Sequence, residues 1–342
     1  MSRRAPIAVS AGAGLAAIAI SVSVYVLLSD DPLPSGTGDF IAYSCKERNN
    51  VWYAVCVMKV DGSEKRRVTD RLTTTDPAWS PDGRQIAFTR NHDVGESTTF
   101  TDDDVFVMDA DGGNVRQLTP EVDGSSSSQP AWSPDGRHIA YVRGPSRASA
   151  VVSATPLAFG ELLVMDGDGG EPFRLTRAEP DAAPSWSPDG QEIVFVRGHD
   201  LNKPSGDMDL FIVDAAGGTP RRLTRTPRAL ETAPVWSPDG SQIAFARSSS
   251  FSAYTGKAAI LVINRDGSGE SVLLEHKLYS ETSYGLSWSP DGRSIAFETG
   301  EFDCTVVATL QTTGPVRRLT SCTGLFRASV GPSWQPEAAQ KD

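Results

Sequence analysis

The chain is poor in the residues and motifs on which most enzymes and metal centres depend. It has four histidines, four cysteines and no Cys-x-x-Cys spacing, so a structural zinc site is not expected. It has no Gly-x-Ser-x-Gly sequence, the turn that carries the nucleophile of α/β-hydrolases. No glycine-rich loop follows a strand and opens a helix, as phosphate-binding loops do. We therefore expect a protein that is not an enzyme.

Clusters of basic residues are also absent from the sequence. Residues 29–342 hold 30 basic and 43 acidic side chains, a net charge of −13. Nucleic-acid binding needs a basic patch that neutralises phosphates, so nucleic acid is not an expected partner. The same charge balance argues against docking on anionic lipid headgroups.

One pentapeptide, Trp-Ser-Pro-Asp-Gly, occurs five times. The tryptophans are 53, 54, 50 and 52 residues apart, and a fixed period of this size indicates a repeated structural unit. A sixth tryptophan, Trp334, follows Pro-Ser but lacks the turn. The motif residues are Trp79, Asp82, Gly83, Trp132, Asp135, Gly136, Trp186, Asp189, Gly190, Trp236, Asp239, Gly240, Trp288, Asp291, Gly292 and Trp334.

Each repeat has the pattern of four short antiparallel strands. In the second repeat, residues 77–79, 86–90, 104–109 and 115–119 are the expected strands, separated by turn sequences. The strands are almost continuously apolar, which is typical of sheets covered on both faces. Four-stranded units of this kind, repeated around an axis, build a β-propeller.

The two ends of the chain complete each other. Residues 40–43 form a second strand with no first strand before it, and residues 332–336 form a first strand with nothing after it. We therefore expect an all-β, six-bladed β-propeller of four-stranded antiparallel blades. The C-terminal strand joins the N-terminal blade and closes the ring, which removes two exposed sheet edges.

The motif residues are interpreted as structural. The tryptophans pack between blades as apolar wedges, while proline, aspartate and glycine set the turn; contact of the tryptophans with a ligand is the alternative. Residues 109–112 and 166–169 faintly resemble a calcium loop but lack its remaining oxygen ligands. No cofactor is expected, with calcium as a weak alternative.

These repeats resemble a known family. The Trp-Ser-Pro-Asp-Gly turn, the Ile-Ala-Phe strand, the Val-Met-Asp-x-Asp-Gly hairpin and the closing Leu-Thr are similar to the TolB-like, or PD40 (WD40-like), β-propeller repeat. The resemblance covers roughly residues 39–337. It implies a propeller fold and a family that includes the periplasmic TolB protein of the Tol–Pal envelope system, propeller domains of peptidases and a few polysaccharide lyases. Propellers host many unrelated activities.

The N-terminus predicts export. Arg3 and Arg4 precede residues 5–28, which carry no charge, and a helix of about 20 apolar residues spans a bilayer. We expect an uncleaved signal anchor over residues 1–28, a linker over 29–38, the propeller over 39–337 and a tail over 338–342. The basic flank places the N-terminus in the cytoplasm and the propeller on the extracytoplasmic side of the cell membrane. A cleaved signal peptide and a secreted or periplasmic protein are the alternative.

Four cysteines fit an oxidising compartment. Cys45 and Cys56 lie on consecutive strands of the first blade, and Cys304 and Cys322 flank the outer hairpin of the last blade. Local disulfides Cys45–Cys56 and Cys304–Cys322 are the simplest of the three possible pairings. Free buried thiols remain the alternative.

One face of the disc carries long, dissimilar loops, at residues 91–103, 144–160, 198–208 and 248–258. Variable loops on a rigid scaffold commonly carry binding sites. Four arginines end the second strand of successive blades beside these loops: Arg90, Arg143, Arg197 and Arg247. They are the candidate partner-binding residues. Alternatively, each arginine pairs with an acid that starts the third strand, such as Asp104, Glu161 and Asp209.

Two His-Asp pairs lie just beyond these strands, at His92, Asp93, His199 and Asp200, and are weak metal-site candidates. The leading functional hypothesis is a membrane-tethered scaffold or receptor that binds an envelope protein or cell-wall component. One alternative is a hydrolase or lyase that acts on a saccharide or peptide in the channel. Another is a sensor that binds a small anion through the arginines. The sequence assigns no oligomeric state.

Overall fold

The computed structural model describes residues 38–47, 53–69, 74–91, 102–122, 124–145, 159–177, 180–199, 207–248, 258–276, 285–301, 304–311, 316–320 and 326–336. Strands and turns, and no helix, occur in these ranges. Accordingly, the described residues include no helix that is long and apolar enough to cross a membrane. The signal anchor expected over residues 1–28 lies outside the described residues.

The first three strands are β1 (Phe40–Glu47), β2 (Tyr53–Lys59) and β3 (Arg66–Arg67). The Trp79 unit consists of β4 (Thr74–Trp79), β5 (Gln85–Asn91), β6 (Asp103–Asp109) and β7 (Arg116–Gln117). The Trp132 unit consists of β8 (Ser125–Trp132), β9 (His138–Pro145), β10 (Glu161–Asp166) and β11 (Phe173–Arg174). The Trp186 unit consists of β12 (Asp181–Trp186), β13 (Glu192–His199), β14 (Asp207–Asp214) and β15 (Arg221–Arg222).

The Trp236 unit consists of β16 (Leu230–Trp236), β17 (Gln242–Ser248), β18 (Ala258–Asn264) and β19 (Ser271–His276). The Trp288 unit consists of β20 (Leu286–Trp288), β21 (Ser294–Glu301), β22 (Cys304–Gln311) and β23 (Val316–Arg318). The last strand, β24 (Phe326–Trp334), pairs antiparallel with β1, whose other neighbour is β2. Strands β24, β1, β2 and β3 therefore form the Trp334 unit.

The all-β class and the four-stranded antiparallel units are confirmed. Within a unit, each strand pairs antiparallel with the next strand along the chain, so the first and fourth strands lie at opposite edges of the unit. First strands of successive units contact one another: β4 contacts β8, β8 contacts β12, β12 contacts β16, and β16 contacts β20. Strand β24 contacts both β20 and β4. The contacts between first strands thus form a closed cycle.

The apolar core lies between units. Ile86 and Phe88 of β5 pack against Val55 and Val57 of β2 in the preceding unit. Ala87, which alternates with them, packs against the following unit. Because neighbouring residues of a strand point to opposite faces and each face meets a different unit, the strands are apolar along their whole length.

The Trp-Ser-Pro-Asp-Gly turns are held by the same hydrogen bonds in each copy. In the Trp132 unit, the Ser133 hydroxyl donates to Asp135 Oδ1 at 2.6 Å, and the Arg137 amide donates to the same oxygen at 3.0 Å. The Gly136 amide donates to the Ser133 carbonyl, with the glycine at φ +71°. The serine hydroxyl lowers the pKa of the aspartate most, followed by the backbone amide, at Asp135, Asp189, Asp239 and Asp291.

A backbone irregularity recurs in the first strands. The residue three before the tryptophan has a positive φ, at Asp76 (+52°), Gln129 (+57°), Ala183 (+51°) and Ala233 (+52°). The strand register shifts at this point in all four units. The shift is a β-bulge, which bends the strand and changes which residues face each other. The bulge therefore determines which first-strand residue lies opposite the arginine of the second strand.

Candidate functional site

The two ends of the strands differ. The Ser-Pro-Asp-Gly turns and the Asp-Gly hairpins lie at one end, which we call the turn end. The connections between second and third strands leave from the other, which we call the loop end. Strands β9 and β13 continue to Pro145 and His199, so two of the expected long loops begin later than the sequence analysis placed them.

The four candidate arginines occupy one position at the loop end of successive second strands. Each guanidinium lies over an aromatic ring of its own unit. The centroid distances are 5.1 Å from Arg90 to Phe106, 5.5 Å from Arg143 to Tyr141, 5.4 Å from Arg197 to Phe195 and 5.2 Å from Arg247 to Phe245. Stacking of this kind stabilises a partly buried cation and holds its orientation.

Two of these arginines are neutralised from within the protein. Arg197 donates to Asp181 through Nε at 2.6 Å and Nη2 at 2.9 Å. Arg247 donates to Glu231 through Nε at 3.0 Å and Nη2 at 2.7 Å. Both carboxylates are fully buried on the first strand. The Arg197 pair is bidentate, with one nitrogen on each oxygen of Asp181, whereas both Arg247 nitrogens donate to Glu231 Oε1. Charge-assisted hydrogen bonds of these kinds are strong and orient the guanidinium.

The expected third-strand partner is therefore wrong for Arg197. Asp209 instead accepts a hydrogen bond from Arg222 of the fourth strand. Glu161 likewise pairs with Arg174 of the fourth strand at 2.8 Å. Asp181 and Asp209 both lie opposite Arg197, across the β12–β13 and β13–β14 ladders. Because Asp209 is engaged by Arg222 and His199, Arg197 pairs with Asp181 instead.

Arg247 contacts a second acid, Glu270, at 2.6 Å. Burial raises the pKa of Glu231, and the hydrogen bonds from Thr224 and Arg247 oppose that rise. The Glu231 carboxylate also accepts from the Leu210 amide. Glu231 thus joins the Trp186 and Trp236 units.

Arg143 differs from Arg197 and Arg247. The residue opposite it across the β8–β9 ladder is Ser127, which is buried and carries no charge. Arg143 Nη2 donates to the Tyr141 hydroxyl at 2.8 Å, while its buried Nε has no hydrogen-bond partner. Burial raises the pKa of Tyr141 to about 12, so the phenol is neutral at physiological pH. No carboxylate of the described residues forms an ion pair with Arg143.

Arg90 repeats this arrangement with a threonine. Thr74 lies opposite Arg90 across the β4–β5 ladder, so the Trp79 unit also lacks the first-strand acid. On the first-strand side the four arginines therefore fall into two classes: Arg197 and Arg247 face a carboxylate, whereas Arg90 and Arg143 face a hydroxyl. On the third-strand side, Asp104 lies opposite Arg90 and Glu161 lies opposite Arg143.

A cleft of about 830 Å³ opens beside Arg143 between the Trp79 and Trp132 units. Leu118 and Leu163 contribute its apolar surface, and Arg143 and Arg174 contribute positive charge. Its remaining lining residues are Gln117, Thr119, Pro120, Glu121, Gly170, Glu171 and Pro172. Because Glu161 pairs with Arg174, Arg143 is the cation of the cleft that lacks a described acidic partner.

The histidine candidates are only partly described. His92, Asp93 and Asp200 lie outside the described residues. His199 Nε2 is 3.3 Å from Asp209 Oδ2, and its ring lies 5.9 Å from that of Phe211. In the described ranges, no group of three or more His, Cys, Asp or Glu side chains is arranged to hold a metal ion.

The cysteines of the first two strands are joined. A disulfide links Cys45 of β1 to Cys56 of β2, one of the two expected pairs. The other expected pair falls outside what can be described: Cys304 begins β22, and Cys322 lies beyond the described residues.

The first-strand position opposite each arginine was not identified from the sequence. It lies five residues before the motif tryptophan, and it is Thr74, Ser127, Asp181 or Glu231 in the four units. An alignment of the repeats on their tryptophans shows this variation in charge, but it does not show that the position faces the arginine. The bulge sets that register.

Comparison with known families supports the repeat assignment. The family model described as the TolB β-propeller domain matches residues 95–340. A stretch of 128 residues is 30% identical to the uncharacterized peptidase YuxL of Bacillus subtilis (strain 168), covering 37% of this chain and 18% of that protein. A stretch of 78 residues is 37% identical to the Tol-Pal system protein TolB of Orientia tsutsugamushi (strain Ikeda), covering 22% of this chain and 16% of that protein.

Solved structures show the same fold. The crystal structure of TolB from Acinetobacter baumannii superposes with a TM-score of 0.66 at 21% sequence identity, covering 87% of this chain and 67% of that one. At this identity the likeness concerns the fold alone. The matched segments span less than a fifth of YuxL and of the Orientia TolB.

Proposed function

This chain belongs to the TolB β-propeller domain family, and from that premise we propose that it is a non-enzymatic scaffold or receptor of the cell envelope. It binds a protein or cell-envelope component through its loop end. The relatives named as TolB of the Tol-Pal system favour an envelope role.

The architecture proposed for this scaffold is a six-bladed propeller closed by β24. The closed cycle of contacts between first strands supports that count. So does the pairing of β24 with β1, which places one strand from the C-terminal end in the N-terminal sheet. Closure holds the units in fixed relative positions, as a binding face needs.

The observation that carries the binding proposal is the contrast between the two strand ends. The turn end is built from near-identical, internally hydrogen-bonded turns. The loop end presents a row of stacked arginines, of which Arg90 and Arg143 face a hydroxyl rather than an acid on the first strand. Arginines held in fixed orientations on a rigid scaffold are typical of protein-binding surfaces.

An extracytoplasmic location is part of the proposal. The Cys45–Cys56 disulfide supports an oxidising compartment. The apolar residues 5–28 after Arg3 and Arg4 support a single-pass anchor with the propeller outside. In this arrangement the membrane is contacted through the N-terminal helix.

A second candidate is a hydrolase or lyase acting on a peptide or saccharide in the central channel. The similarity to YuxL, which is named as an uncharacterized peptidase, favours it. A metal ion that binds stoichiometrically and is lost in His92→Ala or His199→Ala would support this candidate over the scaffold.

The scaffold proposal is tested by cross-linking and affinity co-purification of the full chain from its native envelope. A partner that is enriched with the wild type and lost with Arg90→Glu plus Arg143→Glu supports it. Arg137→Glu, an exposed change at the turn end, is the matched control and must retain the partner. Arg197 is left unchanged because its buried pair with Asp181 holds the fold. A folded, exported wild type that enriches no partner contradicts the proposal.

A further inference from the structure

We infer that Arg143 captures a carboxylate group of a peptide segment of the partner, in the cleft between the Trp79 and Trp132 units. The inference rests on the proposed scaffold function and adds the chemistry that the partner must present.

The first step of the argument is the comparison between units. In the Trp186 and Trp236 units, a buried first-strand carboxylate forms an ion pair with the arginine. In the Trp132 unit the equivalent residue is Ser127, whose hydroxyl brings no negative charge. Glu161 lies opposite Arg143 on the third strand but pairs with Arg174. Arg143 therefore has no ion-pair partner among the described residues, and a partly buried cation in that state is unfavourable. A ligand carboxylate would supply the charge that Asp181 supplies to Arg197.

Access is the second step. Arg143 lines the cleft, whereas Asp181 and Glu231 are fully buried beside their arginines. The aromatic ring of Tyr141 and its hydroxyl hold the guanidinium in place. The ligand therefore meets an oriented donor, which lowers the entropy lost on binding.

The choice of ligand follows from the other charges. Glu121 and Glu171 line the same cleft, and they repel a dianionic phosphate or a polyanion more than a single carboxylate. Pro120 and Pro172 provide accessible apolar surface for the rest of a peptide, beside the largely buried Leu118 and Leu163. A side-chain carboxylate and a chain-terminal carboxylate share this chemistry.

The test is an NMR titration of the purified full chain, labelled with ¹⁵N-arginine, that follows the Arg143 Nε–Hε signal. The probes are Ac-Leu-Asp-Leu-NH₂, its matched Asn peptide, Ac-Leu-Leu with a free carboxylate, and inorganic phosphate. We expect saturable shifts with the Asp peptide, the free carboxylate or both, and at least about tenfold weaker binding of the Asn peptide. The stronger of the two carboxylate probes identifies the source.

Three variants separate the site from its surroundings. Arg143→Gln should lose probe binding, measured by calorimetry. Ser127→Asp places an internal carboxylate opposite Arg143 and should block binding, whereas Ser127→Ala should retain it. If Ser127→Asp fails to fold, the comparison of Arg143→Gln with Ser127→Ala decides.

Equal binding of the Asp and Asn peptides together with no binding of Ac-Leu-Leu, tighter binding of phosphate than of either carboxylate probe, or unchanged binding by Arg143→Gln would overturn the inference. The outcome is separable from that of the scaffold proposal. A partner that binds wild type and Arg143→Gln equally supports the scaffold proposal but contradicts the carboxylate site at Arg143. Carboxylate binding at Arg143 without any envelope partner supports the carboxylate site but contradicts the scaffold proposal.

Discussion

At the residue scale, one first-strand position of the repeat decides whether the arginine of that unit has a buried acidic partner. Asp181 and Glu231 neutralise the arginine of their unit, whereas Ser127 and Thr74 do not. The sequence predicted the row of arginines because they end apolar runs at a fixed place. Their partners were not predicted, because a bulge with a positive φ, three residues before the tryptophan in each of these four units, sets the register. Ala183 and Ala233 give no sequence signal for it.

Asp181→Asn should destabilise the protein by about 3 kcal/mol, because it leaves the largely buried Arg197 without its counterion. The side chain of Arg197 is 13% exposed and that of Asp181 is fully buried. Urea unfolding followed by circular dichroism measures the change. Asp168→Asn, at an exposed position, should cost less than about 0.5 kcal/mol. Equal effects of the two variants would show that the pair does not stabilise the fold.

The motif aspartates should make the stability of the folded protein fall in acid. Hydrogen bonds from the motif serines hold the pKa of Asp135, Asp189, Asp239 and Asp291 below the usual value in the folded state. A lowered folded pKa stabilises the native state above the unfolded pKa of about 3.9, and that stability is lost as the pH falls through the folded value.

The matching variant is Ser133→Ala, which removes the largest cause of the shift at Asp135. It should be less stable at pH 6 and should lose less stability than the wild type between pH 5 and pH 2, measured by urea midpoints. The effect should be small, since Asp135 is largely exposed. Parallel stability curves for the two proteins would count against the serine as the cause.

At the element scale, the four-strand unit was predicted because apolar runs and turn sequences alternate along the chain. The fourth strands are shorter than expected: β7, β11 and β15 have two residues each, whereas β19 has six. Edge strands pair on one side only, so an apolar run does not fix their length. The hairpins before them also contact the neighbouring unit, which no local pattern reveals.

Gly112 shows that contact. Its φ is +95°, and an added Cβ would lie 2.1 Å from the carbonyl oxygen of Val68 in the preceding unit. Gly217 has φ +96° at the equivalent position, with nothing within 4 Å. Gly217→Ala should therefore cost about 1–2 kcal/mol from backbone strain. Gly112→Ala should cost about 1–3 kcal/mol beyond that from the clash.

Thermal unfolding of the two variants measures this difference directly. A larger loss for Gly112→Ala assigns the excess to the contact between units, because the backbone conformations match. Equal losses would mean that the Trp79 and Trp334 units move apart at no cost.

At the scale of the whole molecule, closure was predicted from the two incomplete ends of the repeat array, and β24 does pair with β1. The candidate site was predicted less well. The sequence located its arginines, but the cleft beside Arg143 depends on how two units pack, and on side chains such as Leu118 and Leu163 that look like ordinary core residues. Packing between units is a long-range property that the repeat pattern does not contain.

The most direct test of the account is site-specific photo-cross-linking in the native envelope. A photoreactive amino acid replaces Pro145, exposed at the loop end beside Arg143, or Arg84, whose side chain is 73% exposed at the turn end. The account predicts a discrete partner adduct from position 145 and none from position 84. An adduct from position 84 alone, or from neither position in a folded and exported protein, would contradict a scaffold that binds its partner through the loop end.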